Sequence, residues 1–505
     1  MNNDPFYITT PIYYVNGAPH IAHAYTSVAC DALARFHRLD GRDVHFVTGT
    51  DEHGQKVQQA ALASGEEPQV FCDRMSEMFR QMGDLMDVSS DHFIRTTDSS
   101  HKKAVTALWD RLLASGDIYL GSFEGWYSVR DEAFYDQDEI VDGKAPTGAP
   151  VEWLVEENYF FRLSNYEKPL IEFYENNPDF IAPSQRRSEV EYFVRGGLRD
   201  LSISRSSFKW GIPVPRDKKQ VIYVWLDALT NYISALGYPN TDSELWQRFW
   251  PASVHVVGKD ITRFHCVYWP AFLMAAGIEL PRCVFAHGWW TVEGVKMSKS
   301  LGNMITPKDL VDEFGVDSVR HFLLRDLVFG SDGNLTRTSI ISRANGDLAN
   351  GIGNLAHRVL SLIDQHCDRV VPASHDLSPE DKELLVAGDT LLDNVRKEVN
   401  IFAIQRAVAV IWEHIDAANR YTNLQAPWKL AKSDMNRFNT VIYTLVETIR
   451  RIAILNQPFI PASMGQLLDQ LKVPAEERSF ADLEAKCMTP GAQLAAPSPL
   501  FHRHQ

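Results

Sequence analysis

His20-Ile21-Ala22-His23 places two imidazoles one helical turn apart, behind Asn16-Gly17 and Pro19. If a helix begins there, its unpaired N–H groups, its partial positive charge and two ring donors suit the oxygens of a phosphate. The same pattern also fits a capping histidine beside a satisfied core histidine, or a metal pair drawing on Asp51 or Glu52, although no H-E-x-x-H accompanies it. Lys296-Met297-Ser298-Lys299-Ser300, between Gly294 and Gly302, sets two ammonium groups and two hydroxyls on a turn. Such a loop can close over a triphosphate and neutralise charge as it develops on departing pyrophosphate; a basic, Ser-rich surface loop is the plainer alternative. The run from Gly49 to Lys56 echoes a P-loop, but Lys-Ser/Thr does not follow Gly54, which argues against a Walker cradle. A carboxylate such as Asp51 at a strand end can instead hold a substrate ammonium group, or lie in a solvated turn.

At 505 residues the chain is too long for one core, and about 150 residues per domain predicts roughly three domains. Hydrophobic residues at 45% and charged residues at 23% exclude wholesale disorder and a fibrous fold. No apolar run approaches the ~18 residues that span a bilayer, and MNNDPFYITT lacks a secretory signature, so no membrane partner and a cytoplasmic location are expected. The six cysteines are scattered without a C-x-x-C pair, giving neither a disulfide framework nor a thiolate zinc site. A net charge of -15 argues against a nonspecific polyanion coat. Charge is segregated, however: ten acidic against two basic residues over 124–157, and nine basic against five acidic over 396–451. The last third is where a nucleic-acid contact is expected.

These residues need elements to position them. FYITTPIYY, NGAP and an apolar-periodic run from Ile21 to Arg38 read as strand, turn and helix, and VHFVTGT reads as a second strand running into DEHGQK. Strands alternating with helices imply a parallel sheet whose ligands bind at the carboxyl ends of the strands. Between about 116 and 215, short aromatic-rich pieces (GWYSV, EAFY, EWL, NYFFRL) suggest an inserted β-rich module. QVIYVWLDAL, SVHVVGKD and CVFAHGWW then read as further strands. After about 337, apolar residues step by three or four, through Ile341, Leu348, Leu355 and Leu362 and across 379–398, 401–424 and 436–456, which predicts a helix bundle. The Ala/Pro-rich tail from Pro490 is expected to be loosely ordered.

HIAH and KMSKS together resemble the two signatures of class I aminoacyl-tRNA synthetases. ITTPIYYVNGAPHIAHAY, TGTDEHG, VWLDAL, VVGKDITRFH, HGWWTVEGVKMSKSLGN and QAPWK narrow the resemblance to the methionyl-tRNA synthetase family, from about Phe6 to Trp428. It implies a Rossmann-type parallel-sheet catalytic domain over 1–115 and 216–290, split by a connective-peptide insertion at 116–215. A KMSKS and stem-contact region at 291–340 and an all-α anticodon-binding domain at 341–505 complete the implied α/β architecture. The implied activity is ATP-dependent activation of L-methionine and transfer to the terminal ribose of tRNA(Met), at the 2′-hydroxyl, with Mg²⁺ entering with ATP.

The resemblance places the methionine ammonium at Asp51 and the backbone near Ile12. It makes Tyr14, Trp225, Ala228, Leu229, Tyr232, Ile261, Phe264 and His265 the side-chain pocket, with His265 able to reach Tyr14 or the sulfur. A thioether gains from polarisable ring walls, though VIYVWLDAL would be plain core in most proteins. Gly258, Lys259 and Asp260 are expected at the adenosine, with Asp260 on the ribose. His20, His23, Lys296, Met297, Ser298 and Lys299 are expected at the phosphates, and Arg205 near the carboxylate or phosphates, unless Arg205 is a surface ion-pair residue. Asn354, Arg358 and Trp428 are implied at the CAU anticodon, with a buried bundle anchor as the alternative for Trp428.

Two departures stand out. Ala22 occupies a position where the family usually has Gly, and a methyl group at a helical φ is expected to leave ATP binding intact. The positions of one zinc-knuckle cysteine pair fall on Ser128 and Asp131, so a metal-free insertion with no structural zinc is expected. A class I synthetase for leucine, isoleucine, valine or cysteine, or a catalytically silent tRNA-binding relative, remains the alternative. A monomer is expected, because the chain stops after the bundle.

Overall fold

The computed structural model describes residues 4–131, 133–135, 137–296 and 305–505. Seven parallel strands make the central sheet: β1 (Phe6–Thr9), β2 (Tyr13–Tyr14), β3 (Val44–Asp51), β4 (His92–Arg95), β5 (Ile181–Ala182), β6 (Val254–Gly258) and β7 (Val284–His287). Val47 pairs with Thr9 of β1 and His92 of β4, so those strands flank β3; β6, β7 and β5 continue outward from β1. Near-continuous burial along β3 is what a parallel strand covered on both faces requires. The carboxyl ends of β1, β2, β3, β6 and β7 therefore open on one edge, where such sheets bind ligands.

Helix α1 (Ile21–Leu39) is buried along most of its length and carries Asp31 into the core. Asp31 accepts from Arg35 at 2.8 Å and from the fully buried Arg320 at 2.6 Å. Arg320 also donates to the carbonyls of Met86, Pro458 and Phe459. One guanidinium thus joins α1 to the helix Val316–Arg325 and to the C-terminal bundle. Removing Asp31 would leave the buried Arg320 without a counter-charge, and removing Arg320 would leave Asp31 with Arg35 alone, so this contact locks the relative orientation of the two halves.

The β-rich reading of 116–215 fits Ile118–Ser128, Ala133–Tyr135, Glu152–Phe161 and Leu201–Ser202, which form an antiparallel sheet. The same stretch also holds two helices, Glu167–Asn176 and Ser184–Arg195, and lends β5 to the edge of the central sheet. QVIYVWLDAL is half strand: Asp217–Ile222 pairs in a small sheet, and Val224–Leu229 is a helix, α2. Five of its six residues are buried, and an apolar run this short cannot be told from a strand by periodicity. The bundle follows the expected stripes, with Ile404–Gln425 and Met435–Asn456 as its long helices. The tail is not loose. Its backbone bonds to Arg369 and Gln470, and His504 bonds with Asn345 and lies edge-on to Phe314. No helix among the described residues is long and apolar enough to cross a membrane.

Candidate active site

A cleft of about 1430 Å³ opens along the carboxyl ends of the strands, against the insertion. Ile12, Tyr14, Asp51, Trp225, Ala228, Leu229, Tyr232, Ile261, Phe264 and His265 all line it, as do His20, His23, Arg205, Gly258, Lys259 and Asp260. Residues more than 200 positions apart thus share one wall.

At the phosphate end, His20 caps α1. Its Nδ1 accepts from the Ala22 N–H at 3.3 Å, while the His20 N–H donates to Nδ1 of His23 at 3.1 Å. Both rings accept through Nδ1, which puts each ring proton on Nε2, the form that donates to a phosphate oxygen. Burial, helped by His20, holds His23 far below the usual histidine range, so it stays neutral. The capping alternative and the phosphate role are therefore compatible: one nitrogen caps and the other is the donor. Ala22 lies in the first turn of α1, in helical geometry.

The side-chain pocket is aromatic. Trp225 stacks on Phe264 with ring centres 3.7 Å apart, and residues 264–268 form a π-helical turn that carries His265 inward. His265 donates from Nδ1 to the Ile261 carbonyl at 2.9 Å, so its Nε2 accepts from the Tyr232 hydroxyl at 2.6 Å. Sequence reading offered Tyr14 or the sulfur as the partner of His265; the structure adds Tyr232, which it did not foresee. Tyr7 in turn donates to the Tyr232 carbonyl, and His255 stacks on the Tyr232 ring. This layer leaves an apolar wall with one oriented hydroxyl–imidazole pair, suited to a soft, weakly polar side chain.

Burial depresses the pKa of His265 from 6.5 to about 4, and lowers those of His255 and His287. Folding therefore excludes protons that the unfolded chain binds below its ordinary value. The stability that His265 contributes is complete above about pH 6.5 and is lost as pH falls toward about 4, and His255 and His287 act in the same direction. His265 alone accounts for roughly 2–3 kcal/mol by about pH 4.5. Melting temperature is expected to be flat above about pH 7 and to drop below about pH 6, with a smaller drop in His265→Gln; an identical drop in that variant would refute the assignment.

The remaining predicted residues separate. Arg205 is buried at 3% exposure, not a surface ion-pair residue; it donates to the Ser202 and Ser204 carbonyls and lies 4.7 Å over the Tyr223 ring. Lys259 is bidentate to Asp332 at 2.6 and 2.7 Å and packs 4.3 Å over Trp289, whose indole N–H donates to Asp260 at 3.2 Å. Sequence reading missed Trp289, Asp332 and His287, although HGWW directly precedes the KMSKS segment. Gly288 lets the chain pass here, since a Cβ would stand 2.1 Å from the Ser331 carbonyl oxygen. Beyond it, Trp290–Val292 pairs with Val295–Lys296, which delivers the backbone of Lys296 next to the cleft. Met297, Ser298 and Lys299 lie outside the described residues.

In the insertion, the Asp131 carboxylate accepts from Tyr135 and Thr147, and the Asp131 N–H donates to Ser128. Burial opposes its charge, yet these bonds hold the carboxyl below its usual range. The turn is closed by hydrogen bonds, and no cluster of three or more His, Cys, Asp or Glu among the described residues is placed to hold a metal.

In the bundle, Arg358 lies 5.2 Å over the Trp428 ring and donates to Asn423, and Asn354 is exposed one turn before it. Trp428 is 39% exposed and so is no buried anchor. Five of the nine basic residues between 396 and 451 are bound to carboxylates: Arg396 to Asp40, Arg406 to Glu398, Arg437 to Asp381, and Arg450 and Arg451 to Glu447. The raw charge excess therefore overstates the surface available to a polyanion. Lys429 and Lys432 share the short helix of Trp428.

A parallel sheet with a nucleotide-sized cleft at its strand ends, a split insertion and a helical C-terminal domain define a class I tRNA synthetase, and the family model "tRNA synthetases class I (M)" matches residues 6–150 and 147–360. The model "Anticodon binding domain of methionyl tRNA ligase" matches 371–505. A methionine–tRNA ligase of Mesorhizobium japonicum is 51% identical over 100% of this chain and 98% of its own, and one of Rhizobium meliloti is 52% identical over 100% and 99%. The Mycobacterium tuberculosis methionyl-tRNA synthetase in complex with methionyl-adenylate superposes with TM-score 0.97 at 50% identity, covering 99% of this chain and 100% of that one. Its apo form gives TM-score 0.90 at 46% identity, covering 100% and 99%. The chain belongs to the methionyl-tRNA synthetase family.

Proposed function

We propose that this chain joins L-methionine to tRNA(Met) in two steps within the cleft. A methionine carboxylate oxygen attacks the α-phosphorus of ATP, the bond to the β-phosphate bridging oxygen breaks, and pyrophosphate leaves. The terminal ribose hydroxyl then attacks the adenylate carbonyl and AMP departs. Both reactants of the first step are anions, so the barrier is one of positioning and charge, and no side-chain nucleophile is needed. His20 and His23 donate to the phosphates above the α1 N-terminus, and Mg²⁺ arrives as part of the nucleotide substrate. Asp51 takes the ammonium group, the Trp225–Phe264 and Tyr232–His265 layers take the thioether, Asp260 takes the ribose, and Lys296 and Lys299 take the leaving charge. Lys259 and Arg205 border the nucleotide and the reacting carboxylate.

One observation carries the reading: the histidine-capped helix end, a buried carboxylate and an aromatic wall face one cleft. The bases of the anticodon are read by Trp428, Arg358 and Asn354, through stacking and edge hydrogen bonds. The insertion works without zinc, the chain acts as a monomer, and it meets its tRNA in the cytoplasm. Pyrophosphate exchange into ATP is expected with methionine and to be at least about a hundredfold weaker with leucine, isoleucine, valine or cysteine. Equal exchange with any of these would move the assignment to that substrate, and no exchange with any would leave a tRNA-binding protein without chemistry.

A further inference from the structure

Asp51, Glu52 and His53 are consecutive, yet each is held in a different direction. Asp51 lines the cleft. The buried Glu52 carboxylate accepts two bonds from Arg95, at 2.7 and 2.9 Å. His53 turns the other way, with Nδ1 2.7 Å from Oδ2 of Asp227. Oδ1 of Asp227 is 2.8 Å from Nε2 of His101, whose Nδ1 lies 2.8 Å from Ser234. Asp227 and His101 are fully buried and His53 nearly so.

These three side chains sit on three elements. His53 follows β3, His101 is on the helix Ser99–Ala114, and Asp227 is on α2, the helix that presents Trp225, Ala228 and Leu229 to the cleft. Burial works to raise the pKa of Asp227, but His53 and His101 hold it down at about 2, so the carboxylate is ionised and each imidazole supplies it an N–H. Trp210 closes the loop, donating from its indole to the Glu52 carbonyl at 2.5 Å and accepting from Gly54 at 3.0 Å. A buried carboxylate costs stability relative to apolar packing, but its bonds are directional, and they fix one element against another.

We propose that His53, Asp227 and His101 form a positioning assembly that sets the Asp51 carboxylate against the wall helix α2, so that the ammonium group and the side chain of the amino acid are recognised in one register. The proposal rests on the reading of Asp51 as the ammonium partner. It predicts a defect confined to amino-acid recognition, because the histidine-capped phosphate end stands on α1, outside the assembly.

The test is steady-state pyrophosphate exchange by the full-length protein, with methionine and ATP each varied. His53→Ala is expected to raise the KM for methionine about tenfold or more, while kcat and the KM for ATP stay within about threefold. His53→Asn, whose amide can donate from the place of Nδ1, is expected to restore the methionine KM to within about threefold. Should His53→Ala fail to fold, Asp227→Asn keeps the volume and is expected to show the same methionine-specific rise. The proposal is overturned if both KM values rise together, if only the melting temperature falls, or if His53→Asn does not restore recognition. Asp51→Asn, run in parallel, separates the two layers. An unchanged methionine KM in Asp51→Asn removes the ammonium reading and this proposal with it; a raised KM there with a normal His53→Ala removes the positioning assembly alone.

Discussion

Lys299→Gln is expected to lower the rate constant for adenylate formation by about a hundredfold or more while leaving the methionine KM within about threefold. As the bond to the β-phosphate breaks, charge accumulates on pyrophosphate, and a cation placed there stabilises the transition state more than either bound reactant. Its loss therefore appears in kcat, whereas loss of uniform binding would appear in KM. Lys299 lies outside the described residues, but the chain enters its segment from the hairpin of Trp290–Val292 with Val295–Lys296, which continues directly from the cleft-lining Gly288 and Trp289. Single-turnover formation of methionyl-adenylate at saturating ATP is the measurement. A change in methionine KM with an intact rate constant would place Lys299 on the amino acid and not on the phosphates.

The setting of the HIAH motif was legible because its chemistry needs particular residue types at a helix start, and that is a local feature. His20 caps α1 where the turn residues Asn16-Gly17 and Pro19 mark the helix start. The strand ends that carry Asp51 and Gly258 to Asp260 followed from alternation of strands and helices. What stayed hidden depends on tertiary neighbours. That VWLDAL coils into a helix, and that Asp227 is the partner of two histidines, is decided by residues more than 100 positions away. The partner of His265 is set by the π-helical turn, which adds a residue to the local register and swings the ring to Tyr232. The basic excess of the last third was a true count but a poor guide to surface potential, because Arg437, Arg450 and Arg451 spend their charge on Asp381 and Glu447. Composition counts charges; only packing shows which are already neutralised.

His20→Asn is expected to separate the two jobs of that residue. Asparagine is among the best helix caps, and its side-chain oxygen can take over acceptance from the backbone N–H groups of α1. Stability is therefore expected to stay within about 1 kcal/mol of the parent, read from a denaturant midpoint at unchanged slope. What the substitution removes is the Nε2–H of a ring that lines the cleft. Removing one donor aimed at developing charge in a dry site typically lowers kcat by about a hundredfold to a thousandfold, and adenylate formation by His20→Asn is expected in that range. The loss should persist at saturating ATP, since a donor that strengthens only as charge moves onto the phosphates contributes little to ground-state binding. His23→Asn tests the neighbouring ring, which is neutral because of burial and sits against Tyr13 and Phe79. There the same loss of rate is expected together with lower stability, because the substitution also empties part of that aromatic contact. If His20→Asn retained full activity, the capping bond would be the whole function of the residue, and the phosphates would have to be held by the helix N-terminus and Lys299 without it.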